Sequence, residues 1–288
     1  MDLDAVKELV FEDGLREIET PVGPALLHTD HRFVLPLIDL AQRQGRLPRP
    51  AHHVLFDRFH DSTEPMCMDK IRAMRKRGFT TAGLIDLCKN HLRKTDDDWV
   101  QAGMHLGLIG NVILFGHEPS DHIDFPLQIE DSAGEIHRMD SLYLPCSELE
   151  YQGSLSDSAR RLKLDTLWET LGWEMKPRDR FRFTGQQRLV LDIDLQCFAL
   201  EYREYTFPWP ERIFEAEFLT PSTYVTVEGI TAQQFVRELA GNAGLLTIAR
   251  EANFCGGEAD ADWILEKVQQ YAFGKGMAPL PKEKVVVN

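Results

Sequence analysis

Residues Leu189 to Phe198 read LVLDIDLQCF, an apolar and β-branched run that carries Asp192 and Asp194 two positions apart. Such a run predicts a buried strand, and because alternate side chains of a strand share a face, the two carboxylates point the same way. An unpaired ionised carboxylate in a low-dielectric interior forfeits several kcal/mol of solvation, so a buried pair calls for a compensating cation. A metal ion meets that need. An ordinary strand end, with its aspartates solvated or paired with arginines, is the alternative from this stretch alone.

A second stretch has the same character. His53 to Asp57 (HVLFD) predicts another apolar strand, followed at once by Arg58, Phe59, His60 and Asp61. Two strands that each end in clustered carboxylates are what a metal site at the carboxyl edge of an α/β sheet requires.

The rest of the chain fits around such an edge. Pro24 to His28 predicts a strand running into Thr29-Asp30-His31, and Phe33 to Gln44 has apolar residues at helical spacing, with Pro36 tolerable in the first turn. His31 therefore falls at a strand-to-helix junction. Helices are expected over Met66 to Arg77, Thr81 to Leu92, Trp99 to Leu106, Ser154 to Leu171, Thr231 to Leu239 and Asp260 to Phe273. The acidic Asp96-Asp97-Asp98 run is expected to cap the helix that starts at Trp99. Asn111 to Phe115 and Leu245 to Ala249 read as further buried strands, and Phe125 to Leu144 as a strand pair turned at Gly134. Glu8 to Glu19 reads as a hairpin turned at Asp13-Gly14, Lys176 to Gln187 as a polar loop, and Phe207-Pro208-Trp209-Pro210 as a break in regular structure. Short apolar strands alternating with helices predict one three-layer α/β/α domain over residues 1–288, with a mostly parallel sheet and a loosely held tail from about Gly274.

Composition narrows the function. With 288 residues, 43% hydrophobic and 27% charged, the chain is long enough for a substantial core. No apolar run approaches the roughly 18 residues of a membrane span, and the acidic start MDLDAVKELVFEDG does not read as a secretory signal, so a cytoplasmic protein is expected. A net charge of −14 disfavours nucleic acid as a partner and suits a cationic one. Five cysteines, none in a CxxC pair, argue against a disulfide framework and a thiolate zinc site. All ten histidines lie in the first half of the chain, and several must be bystanders. His117 falls on the expected functional edge, whereas Asp121, His122 and Asp124 read as a polar surface loop.

Four separated segments together resemble the arginase/deacetylase superfamily, in the branch that includes peptide arginases. Members carry a DH pair, then DxHxD, then a DxD strand, then a late glutamate in an ExN context. The counterparts here are Asp30-His31, Asp57 to Asp61, Asp192-Ile193-Asp194 and Glu251-Ala252-Asn253, with TDHRFVLPLIDLA, the Trp99 helix and LLTIAREANFCGG adding to the likeness. The segments span roughly residues 28 to 256.

The resemblance implies two manganese ions roughly 3.5 Å apart, with a hydroxide between them attacking a guanidinium carbon. It implies one ion on His31, Asp57, Asp61 and Asp192, and a second on Asp57, Asp192, Asp194 and the histidine of DxHxD. Phe59 occupies that histidine position. Either His60 swings in as a substitute ligand, or the site holds one ion, or water and another protein group complete the second. Asp194 is expected to accept a proton from the attacking water, and Glu251 to pair with the guanidinium. His105 is the candidate proton shuttle, because a histidine titrates near neutral pH. The implied reaction is conversion of peptidyl arginine to ornithine with release of urea, on an arginine-containing peptide or protein. A deacetylase or agmatinase-like enzyme is an alternative, though a deacetylase on this fold needs the histidine that Phe59 replaces. A binding scaffold that kept the carboxylates without the chemistry is a third.

Overall fold

The computed structural model describes residues 3–95, 97–116, 126–142, 188–202, 205–219 and 231–275. The helix expected over Ser154 to Leu171, the loop from Lys176 to Gln187, His117, the Asp121 to Asp124 cluster and most of the expected tail fall outside them.

An eight-stranded sheet forms the middle layer. Its strands are β1 (Arg16–Thr20), β2 (Gly23–His28), β3 (Ala51–Phe56), β4 (Ile109–Phe115), β5 (Leu127–Glu130), β6 (Ile136–Leu142), β7 (Leu189–Asp194) and β10 (Ala243–Ala249), in the order β1-β2-β10-β7-β3-β4-β6-β5. The strands from β2 to β6 in that order run parallel, while β1 and β5 flank them antiparallel. The short strands β8 (Ala199–Tyr202) and β9 (Tyr205–Pro208) form a separate two-stranded sheet.

Helices cover both faces. On one lie α1 (Lys7–Glu12), α2 (Val34–Arg43), α3 (Met68–Arg77), α4 (Thr81–Asn90) and α5 (Trp99–His105). On the other lie α6 (Glu211–Leu219), α7 (Ala232–Asn242) and α8 (Glu258–Lys267), with a π-helical turn over Val268–Ala272. The strands feed each core by strict alternation. Val54, Phe56, Leu191 and Ile193 face α6 to α8, whereas Leu55 and Val190 face α2 to α5. This is the three-layer α/β/α arrangement that the alternating pattern predicts.

Local chemistry explains the helix ends. Pro36 is the third residue of α2, where no intrahelical donor is lost. A capping box opens α7, with the Thr231 side chain accepting from the Gln234 backbone and the Gln234 side chain accepting in return.

Three local expectations are corrected. The Glu8 to Glu19 stretch is not a hairpin: Val6 in the 3-10 turn before α1 and Leu9 within it are buried on one side, Gly14 follows the helix with φ +67°, and the hairpin turn falls between Thr20 and Gly23. Asp98 does not cap α5 with its side chain; its carboxylate accepts the Arg93 backbone N–H instead, and Asp97 pairs with Arg93. Phe207 and Pro208 lie within β9, because the end of a two-stranded ribbon leaves room for a proline without a donor. Among the described residues no helix is long and apolar enough to cross a membrane.

Candidate metal centre

The carboxyl ends of four neighbouring parallel strands, β2, β10, β7 and β3, converge on His31. This residue opens the turn after β2 and is fully buried. Its Nδ1 lies 3.3 Å from Asp57 Oδ2, 3.4 Å from Asp61 Oδ2 and 3.1 Å from Asp194 Oδ2, while its Nε2 lies 3.1 Å from Asp192 Oδ2. Asp57 follows β3 directly, Asp61 lies further along the loop behind it, and Asp192 and Asp194 share one face of β7. The spacing of two in the central strand therefore puts both β7 carboxylates on the same histidine.

Sheet register supplies the next layer of contacts. Thr247 of β10 sits beside Asp192 and donates its hydroxyl to Asp192 Oδ1 at 2.7 Å. His53, on the same face of β3, approaches Asp192 Oδ2 through Nε2 at 3.1 Å. The Trp99 indole N–H donates to Asp61 Oδ2 at 2.7 Å. Gln196 donates its backbone N–H to Asp194 Oδ1 (2.8 Å) and its side-chain amide to Asp194 Oδ2 (2.9 Å) and Asp57 Oδ1 (3.0 Å). Glu251, buried after β10, accepts the His31 backbone N–H at 3.1 Å through Oε1.

Two of these residues hold a left-handed backbone. Among the described residues, Asp61 (φ 48°) and Glu251 (φ 31°) are the non-glycine positions with positive φ, and both border His31. A side chain in that region is disfavoured unless its surroundings impose it, and such residues concentrate at functional sites.

The electrostatics follow from burial. Desolvation, reinforced by the neighbouring Asp194, raises the carboxyl of Asp57 to about 6, and desolvation, reinforced by Asp57, raises that of Asp61 to about 7; His31 opposes both shifts. Burial also raises Asp194. Burial works on Asp192 in the same direction, but His31 and His53 outweigh it and hold that carboxyl well below the usual range. Burial alone would depress His31, yet its carboxylate neighbours, Asp192 foremost, push it well above the usual histidine range.

The donor set fits a divalent cation. Asp57, Asp61, Asp192 and Asp194 are all buried, and among the described residues neither lysine nor arginine reaches them. His31 Nδ1 and Asp57 Oδ2 are buried without a hydrogen-bond partner. With Nε2–H directed at Asp192, a neutral His31 turns a lone pair toward three carboxylate oxygens, which is repulsive unless a cation lies among them. Ligand atoms of His31, Asp57 and Asp61 lie within 4.8 Å of one another, as do those of His31, Asp194 and Glu251. One imidazole among carboxylates is a hard, oxygen-rich set, suited to Mn²⁺ or a similar ion.

No protein-family model and no curated protein matches this chain. The site therefore stands on its geometry and on the order of its segments.

Of the residues expected at the site, His31, Asp57, Asp61, Asp192, Asp194 and Glu251 come together. Two do not. His60 Nδ1 lies 2.9 Å from Ser62 Oγ and accepts the Ser62 backbone N–H, and His60 is not in either group of ligand atoms around His31. His105 ends α5, which leads into the start of β4, and its Nδ1 lies 3.2 Å from Ser132 Oγ in the turn before β6. It stands at the amino edge of the parallel strands, too remote to shuttle protons at the carboxyl edge. The nearby Asp131, Glu135 and His137 form a second potential ligand group, in which Asp131 closes the turn through the backbone N–H groups of Ala133 and Glu135.

His53, Trp99, Thr247 and Gln196 were not expected as site residues. Thr247 and Gln196 do interrupt apolar runs, LLTIA and LQCF, and a polar group inside such a run signals a buried partner.

Proposed function

We propose that the chain is a metal-dependent hydrolase of a guanidinium C–N bond, converting arginine residues of a peptide to ornithine with release of urea. The observation that carries the reading is His31 ringed by Asp57, Asp61, Asp192 and Asp194 at the carboxyl edge of a parallel sheet. These residues occur in the order DH, DxxxD, DxD, E that resembles the arginase pattern. Mn²⁺ is the ion that this resemblance and the donor set favour.

His31, Asp57 and Asp61 would hold the ion, with Asp194 beside them. A bound divalent ion supplies a nucleophilic hydroxide near neutral pH by lowering the pKa of its water. The chain's own residues do the rest. Asp192 fixes the His31 ring so that Nδ1 faces the donor group. Asp194, pinned by Gln196, takes the proton from the attacking water and passes it to the leaving nitrogen. Glu251, buried beside His31 and Asp194, would pair with the guanidinium, for which a carboxylate offers a charge-assisted contact. The excess of acidic residues favours a basic peptide as substrate.

Phe59 favours a second reading, a scaffold that binds a basic peptide without turnover. Its ring is 40% exposed beside the Arg58 guanidinium and brings no nitrogen to the centre. One assay separates the two. Urea released from an arginine-containing peptide with Mn²⁺ present, and lost in Asp57→Asn, supports the hydrolase; a folded, metal-loaded protein that releases none overturns it.

A further inference from the structure

Of the carboxylates that the resemblance would give to a second ion, Asp192 and Asp194 have partners on both oxygens and Asp57 has donors on one. Asp57 Oδ1 accepts the Phe59 backbone N–H (3.0 Å) and the Gln196 amide (3.0 Å). Asp194 Oδ1 accepts the Gln196 backbone N–H, and Asp194 Oδ2 the Gln196 amide. Asp192 is taken up by Thr247 on one oxygen and by His31 and His53 on the other. Gln196 itself is buried in the turn after β7, between the two carboxylates. Its orientation is dictated by charge, since a flipped amide would aim its carbonyl oxygen at both Asp57 and Asp194.

The oxygens and nitrogen on the other side are different. Asp57 Oδ2 and His31 Nδ1 are buried without hydrogen-bond partners, and Asp61 Oδ2, held from behind by the Trp99 indole N–H, faces His31 Nδ1 at 3.4 Å. We infer that the centre takes one divalent cation, at His31, Asp57 and Asp61, and that the Gln196 amide, with Phe59 in place of a histidine, fills the second position. An NH₂ group with two N–H bonds offers two converging carboxylates partial positive charge and needs no further ligand. The inference rests on the proposed metal centre and fixes its nuclearity.

Manganese stoichiometry by equilibrium dialysis, read with electron paramagnetic resonance, tests it on the full chain. The wild-type protein is expected to bind one Mn²⁺ per chain, with an uncoupled six-line spectrum. Phe59→His alone should still bind one, because Gln196 keeps its place. The double variant Phe59→His/Gln196→Ala should bind two ions, with the broadened spectrum of an exchange-coupled pair. Two ions and a coupled spectrum in the wild type would overturn the inference while leaving the metal centre intact. A coupled pair in Phe59→His alone, or one ion in the folded double variant, would overturn the role of Gln196. If the double variant fails to fold, the wild-type stoichiometry still decides. No manganese in any folded form would overturn the metal centre and this inference with it.

Discussion

Asp192 Oδ2 lies 3.1 Å from His31 Nε2, and the contact sets which ring nitrogen of His31 faces the remaining aspartates. A carboxylate that holds one nitrogen of a histidine fixes its tautomer and makes the other a better ligand. On this arrangement Asp192 acts through His31, with Thr247 and His53 holding Asp192 in turn.

Thr247→Val keeps the shape of the side chain and removes the hydroxyl that serves Asp192 Oδ1. Loss of a hydrogen bond to a buried charged group costs about 1.5–3 kcal/mol, and loss of an outer partner of a metal ligand weakens metal binding roughly 10–100-fold. Urea denaturation and manganese titration read the two effects separately. Unchanged affinity would show that Asp192 does not act through Thr247.

Trp99→Phe removes the indole N–H from Asp61 Oδ2 while keeping an aromatic ring in a fully buried position. Manganese affinity is expected to fall by about tenfold or more, with a larger relative loss than in a control Trp209→Phe variant on the opposite face of the sheet. Equal effects of the two substitutions would reduce Trp99 to a packing residue.

His60→Ala should leave manganese binding within about twofold of wild type, since the ring is engaged with Ser62 and is in neither group of ligand atoms around His31. A tenfold loss in dialysis would return His60 to the ligand set.

Asp13 ties α1 to the loop that leads into His31, accepting the backbone N–H groups of Thr29 (3.2 Å) and Asp30 (2.9 Å). Burial raises its carboxyl from 3.8 to about 7, so the folded state holds the proton more tightly than the unfolded chain. The stability this adds is fully present below pH 3.8 and is lost as pH rises through about 7. Denaturation midpoints between about pH 4 and pH 7 should fall more steeply for wild type than for Asp13→Asn, and parallel slopes would contradict the assignment.

Much of the frame was legible in the sequence because it depends on short periods. Alternation in LVLDIDL places Asp192 and Asp194 on one face whatever the strand's neighbours are. The hidden part depends on which strands lie side by side. His53 stands out only once β3 is seen against β7, and Thr247 acquires its role only through the register of β10 with Asp192. His60 and His105 fail for the opposite reason: both have suitable chemistry, but Ser62 engages the one and the direction of α5 carries the other away. Around α1, the hairpin signal of Asp13-Gly14 is outweighed by burial of Val6 and Leu9.

Anomalous diffraction at the manganese edge, from crystals grown with Mn²⁺, would locate a divalent ion held by His31. One peak per chain is expected, bounded by His31 Nδ1, Asp57 Oδ2 and Asp61 Oδ2. A well-ordered His31 with no peak there, its ring simply bonded to the aspartates, would contradict it.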